Sequence, residues 1–145
     1  MAQANIEASR RLIEEAFNKG NLDVFDEVCA DGCVDHDPLM GDQDVEGVKR
    51  SIAGYREAFP DLTLRIEDVM ACDDKVVMRW TGEGTFQNEF MGLQPTGEKG
   101  DPVQGIGIDR FDDDGKVVES WGQWDTLTLL RNVGAIPSEA PAPAS

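Results

Sequence analysis

The stretch GKVVESWGQWDTLTLL, residues 115–130, decides how the rest of the chain is read. In a β-strand the side chains alternate, so Val117, Glu119, Trp121, Gln123, Asp125 and Leu127 would share one face. A core face does not carry two carboxylates and an amide. A solvent face does not carry Trp121 and Leu127. The mixture predicts the wall of a semi-apolar pocket.

Working back from this stretch, three more segments have the same period of two: LTLRIEDVMA (62–71), KVVMRWTGEGTF (75–86) and PVQGIGIDRF (102–111). Asp73-Asp74 and the DDDG of 112–115 read as hairpin turns. A glycine-rich loop, QNEFMGLQPTGEKGD (87–101), separates the middle pair. With DDDG closing a hairpin, Phe111 faces Lys116 and Ile108 opposes Glu119. Ile106 then opposes Trp121, and Gln104 opposes Gln123. Arg110 comes within reach of an ion pair with Glu119. The face carrying Ile106, Ile108, Trp121 and Leu127 is expected to be the concave one. A longer, bulged turn would reverse that assignment.

Before residue 62 the period is helical. Ile6, Ile13, Ala16 and Phe17 share a face that stops at Gly20. A short helix through LDVFDEVCA (22–30) takes Asn21 as its cap. Val45, Val48, Ile52, Tyr55 and Phe59 mark a third helix, which Pro60 ends. Between the second and third lies DGCVDHDPLMGD (31–42), which reads as an irregular connection. The prediction is one α+β domain over 1–136, with three N-terminal helices packed on a curled antiparallel sheet and a disordered Pro/Ala tail over 137–145.

A chain of 145 residues can bury roughly two-thirds of its unfolded surface without disulfides or metal. The net charge of −16 argues against nucleic acid and against anionic membrane surfaces as partners. No run approaches the ~20 apolar residues of a membrane span. The charged, helical N-terminus lacks a signal-peptide core, which predicts the cytoplasm. Cys29, Cys33 and Cys72 are an odd number and read as free thiols.

Two residues suggest proton chemistry. Asp125, set among Trp121, Leu127 and helix-three aromatics, would be desolvated and its pKa raised, suiting it to act as acid or base. The alternative is that it ends the strand or caps the following turn, facing water. His36, the only histidine, lies in the 31–42 segment as a second catalytic candidate or a solvated bystander. Cys29, Cys33 and His36 invite a zinc reading, but no second ligand pair stands at the required spacing, so no metal is expected. No phosphate loop, GxSxG elbow or CxxC is present.

AFPDL (58–62), VVMRWTGEGTF (76–86), FMGLQPTG (90–97), RFDDDGKVVESWGQWD (110–125) and HDP (36–38), in this order, resemble the SnoaL-like polyketide cyclases of the nuclear transport factor 2-like superfamily. The resemblance spans residues 6 to about 134. It implies a cone-shaped α+β barrel with an internal pocket and a cofactor-independent, aldol-type ring closure of polyketide esters, with no metal or organic cofactor. It also implies that Asp125 is the strand-borne acid/base, assisted by His36. Gln104 and Gln123 would hold carbonyl oxygens, while Trp121, Tyr55 and Phe59 pack on a flat hydrophobic substrate. Many relatives read GTH where this chain has Gly84-Thr85-Phe86. Hydroxylases, isomerases, lyases and non-catalytic binding modules share the fold and remain alternatives. A homodimer is expected, with Trp124 as one candidate for an apolar outer face.

Overall fold

The computed structural model describes residues 1–137, so the tail expected from 137 onward lies, except for Pro137, outside the described residues. Helix α1 (Ala2–Arg11) continues as a wider π-helical turn, Leu12–Phe17. Asn18 then pins its end to the sheet, donating to the Leu64 carbonyl at 2.9 Å and accepting from the Leu64 amide at 2.7 Å. Gly20, at φ +75°, makes the turn that most L residues avoid. Then follow α2 (Val24–Val28), β1 (Cys29–Asp37), β2 (Gly41–Gln43) and α3 (Val45–Ala58). The Asp44 carboxylate caps α3 by accepting from the Gly47 amide at 2.7 Å. Strands β3 (Thr63–Cys72), β4 (Lys75–Glu83), β5 (Val103–Phe111) and β6 (Val117–Trp124) lead into α4 (Thr126–Asn132).

The strands form one curved, open sheet in the order β2-β1-β6-β5-β4-β3, the α+β cone expected from the sequence. Neighbours are antiparallel except β1 and β6, which run parallel. Register breaks in β1, in β3 near Glu67 and at the β5–β6 hairpin bend the sheet, as bulges do. Its concave side closes over two apolar clusters. One joins Leu12, Ile13, Val24, Phe25 and Ile52 to Val76, Phe111 and Val117. The other gathers Ala58, Phe59, Phe86 and Phe90 around Leu129 and Val133.

Three expectations change. First, residues 31–42 are largely strand. Cys33, Asp35 and Asp37 alternate inward against Val34 and His36, and Gly32 at φ +77° absorbs the bulge. Polar inner residues hid a strand whose inner face lines a cavity.

Second, β6 ends at Trp124. Asp125 caps α4, accepting from the Thr128 amide at 3.0 Å and its hydroxyl at 2.6 Å. Leu127 and Leu129 therefore belong to a helix.

Third, the β5–β6 turn is one residue longer than DDDG. Phe111 pairs with Val117, the Asp112 carboxylate accepts from the amides of Asp114 and Lys116, and Val118 bulges. Beyond the bulge Arg110 pairs with Glu119, Ile108 with Trp121 and Ile106 with Gln123. The expected Arg110–Glu119 ion pair forms at 3.0 Å.

Gln104, Ile106, Ile108 and Arg110 do share a face with Glu119, Trp121 and Gln123, but it is the outer one: Ile106 is 50% exposed and Trp121 36%. Val117, on the other side of the bulge, is fully buried. The mixed face of the opening stretch is thus three environments read as one.

Candidate active site

The inner face of the sheet is a grid whose rows run from β4 to β1. One row holds Val76, Asp109, Ser120 and Asp35, and the next holds Met78, Gly107 and Gly122. Asp37 follows Gly122 one step beyond the His36–Trp121 pair. The third row holds Trp80, Gly105 and Trp124. Over this grid lie α3 and the π-helical turn, leaving a cavity of about 240 Å³. Leu12, Val48, Tyr55, Phe59 and Leu64 supply much of its apolar lining.

Its polar groups are few and differ in their bonding. Asp37 is fully engaged: Oδ1 accepts from Trp124 Nε1 at 3.0 Å, and Oδ2 accepts from the amides of Leu39 and Met40 at 2.9 and 2.8 Å. Asp109 is half-buried between two hydroxyl donors, Ser9 Oγ and Ser120 Oγ, each at 2.7 Å. Burial drives its pKa up, and the two hydroxyls offset part of that rise.

Asp35 lines the same cavity, and no hydrogen bond to its carboxyl is formed among the described residues. Burial, reinforced by the nearby charges of Asp37 and Asp109, pushes its pKa up to about 7. The Tyr55 hydroxyl is buried with no hydrogen-bond partner among the described residues. Its ring stacks on Phe90 at 5.5 Å and meets Trp124 edge-on at 6.4 Å. Burial raises its pKa, so it stays a protonated donor.

Of the residues expected from the sequence, Tyr55 and Phe59 line this cavity. The others are placed differently. Asp125 is the α4 cap, and its bonds to Thr128 hold its carboxyl below the usual range, opposite to the desolvated carboxyl expected. His36 points to the outer face, with Nδ1 2.7 Å from Asp42 and Nε2 2.7 Å from Glu119. These two bonds raise its pKa. Trp121 borders the cavity as part of β6, but its indole stacks on His36 at 5.7 Å on the outer face. Gln104 and Gln123 are exposed on that same face. Trp124, expected outside, is inside. Phe86 is buried against Phe59 with ring centres 5.5 Å apart, an apolar neighbour where a histidine would need a partner.

The sequence reading missed Asp35, Asp37, Asp109 and Trp124. The signal for the first two was the alternation C-V-D-H-D over 33–37, set aside because Gly, Asp and Pro surround it. Among the described residues no group of three or more His, Cys, Asp or Glu could hold a metal ion. No described helix is long and apolar enough to cross a membrane.

A curved sheet closed by helices over a mostly apolar cavity, lined by an Asp35 carboxyl that forms no hydrogen bond among the described residues, defines a small cone-shaped pocket protein. Comparison with known proteins narrows this. The model of the SnoaL-like polyketide cyclases matches residues 7–133, and the chain belongs to that family.

Solved structures agree. AclR of Streptomyces galilaeus, a candidate hydroxylase, is 29% identical over 94% of this chain and 100% of its own, with a TM-score of 0.82. A candidate SnoaL-like polyketide cyclase from Jannaschia sp. CCS1 is 25% identical over 94% and 95%, also at 0.82. IdmH of Streptomyces antibioticus, a candidate polyketide cyclase, is 30% identical over 90% and 98%, at 0.75. No curated protein matches.

Proposed function

We propose that the protein is a cofactor-independent acid/base enzyme of the polyketide-cyclase type, acting on a hydrophobic carbonyl compound in the cavity. The observation that carries this is Asp35, a carboxyl inside the cavity without a hydrogen-bond partner among the described residues and with a pKa near 7. Such a group exchanges protons at neutral pH in either direction.

As carboxylate, Asp35 takes a proton from a methylene flanked by carbonyls. The carbanion forms a carbon–carbon bond to a carbonyl carbon of the same molecule, whose oxygen becomes an alkoxide. Asp35 returns the proton to that alkoxide, so the carboxylate is restored and no atoms are gained or lost. Tyr55, a donor without a partner among the described residues, hydrogen-bonds the enolate oxygen. The ring-closing ends are tethered already, so holding one conformer supplies much of the rate. Tyr55, Phe59 and Trp124 pack on the substrate. The expected roles of Asp125 and His36 pass to Asp35 and Tyr55, because the former pair lies outside the cavity.

The similarity to AclR favours a second reading, in which the same carbanion adds dioxygen and the resulting hydroperoxide is taken to the alcohol and water by an external two-electron reductant. Product mass separates the two, since ring closure leaves it unchanged and hydroxylation adds an oxygen. The reading also includes a cytoplasmic homodimer formed through the outer sheet face, where Val34, Ile106 and Trp121 are exposed. Carboxyl-carbon NMR titration of the wild type against Asp35→Asn tests the central claim. A midpoint near 7 for the signal lost in the variant supports it; one near about 4, the ordinary aspartate value, sinks it.

A further inference from the structure

Three glycines, Gly105, Gly107 and Gly122, stand on the inner face of β5 and β6, inside strands where glycine weakens the sheet. Packing explains one of them. A Cβ on Gly105 would lie 2.3 Å from the Trp80 ring and 2.7 Å from Trp124 Cβ, so only hydrogen fits. Gly107 and Gly122 have no such reason. A Cβ on Gly107 would meet only the Trp121 carbonyl oxygen at 3.7 Å, and one on Gly122 only the His36 carbonyl oxygen at 3.9 Å, both ordinary contacts. Neither glycine has a positive φ. Neither Cβ contacts nor backbone conformation therefore require glycine at either position.

The two are direct partners across β5–β6, and both line the cavity. Together they form a bare patch of backbone, bounded by Asp109 and Ser120 on one side and by Trp80 and Trp124 on the other. Met78 and Asp37 stand at its two ends. A floor without side chains has no branches standing up from it, and the indole rings beside it are flat. A puckered ring would leave gaps on such a floor, whereas a planar conjugated ring touches it throughout.

We propose that Gly107 and Gly122 determine specificity: they are the platform on which a planar, conjugated ring of the ligand lies, with one edge toward the Asp35–Asp37 end. This rests on the reading of the cavity as the substrate site, and it adds two residues that select for the flat substrate implied by the family resemblance. Either glycine replaced by a branched residue fills the platform and excludes the ring while leaving the sheet sound.

The test uses two neutral probes of one skeleton, flat 1-naphthol and puckered trans-1-decalol, with binding followed by calorimetry. Wild type is expected to bind 1-naphthol at least ~10-fold tighter than 1-decalol. Gly122→Val and Gly107→Val should lose 1-naphthol binding by at least ~10-fold, and Gly122→Ala by less. Their melting temperatures should stay unchanged or rise by ~1–4 °C, as removing a strand glycine predicts. Gly54→Ala, on α3 with open space around it, should bind as wild type does.

A folded Gly122→Val that binds 1-naphthol like wild type overturns the platform, as does equal binding of both probes. If the valine variants do not fold, Gly122→Ala with unchanged affinity is the overturning result. A wild type that binds neither probe overturns the platform together with the reading of the cavity as a ligand site. Loss of the Asp35 titration, with flat-ring selectivity intact, overturns the acid/base chemistry alone.

Discussion

Asp35 and Asp125 are one side chain in two opposite settings. Two donors from Thr128 stabilise the charge on Asp125, whereas Asp35 faces an apolar cavity beside other carboxyls. The consequence for stability has a definite sign. A carboxyl whose pKa is raised by folding holds its proton more tightly folded than unfolded. Its neutral form is accommodated at acid pH, and stability is lost as pH rises from about 4, the unfolded value, to about 7. His36 acts in the same direction: its pKa is raised by Asp42 and Glu119, so its contribution is full in acid and lost as pH rises through its folded pKa. Comparison with Asp35→Asn isolates the carboxyl. That variant should gain about 3 kcal/mol on wild type between pH 5 and pH 8, measured by urea unfolding at both. A difference that does not grow with pH would mean that Asp35 is not desolvated.

At the scale of elements, α3 and strands β3 to β5 were legible because their periodicity was clean. The apolar stripe Val48, Ile52, Tyr55, Phe59 has one period, the alternation Val76, Met78, Trp80 has another, and tertiary packing reinforces both. β1 and α4 were not. β1 carries carboxyls on its inner face, so Asp35 and Asp37 stand where a strand pattern calls for apolar residues. α4 begins one residue after a strand of the same hydrophobic character, and only the Asp125 cap marks the change. The pocket wall was foreseen in kind and placed on the wrong face, because a mixed strand gives no sign of which side is concave. Asp125→Ala should cost about 1 kcal/mol, the usual worth of a helix cap, with the cavity titration unmoved. An Asp35 midpoint that moved with it would tie the cap to the cavity and contradict this separation.

For the whole molecule, the family and the cone were legible because several separated motifs occur in order. The exposed outer face was not, since Trp121 and Ile106 look like core residues until the bulge at Val118 is known. Sedimentation should show a dimer for wild type and a monomer for Ile106→Lys, whose charge would fall inside the proposed interface. A monomeric wild type sinks the dimer.

The parallel pairing of β1 with β6 has a further consequence, in time. Asp35 belongs to the first third of the chain, yet the Gly122 floor and the Trp124 that orients Asp37 come close to its end. Pairing so distant in sequence forms late and slowly. During synthesis Asp35 waits in water until β6 has left the ribosome. Any chain cut short before β6 therefore carries every residue proposed for the proton transfer but lacks the strand that joins β1 to the rest of the cavity wall.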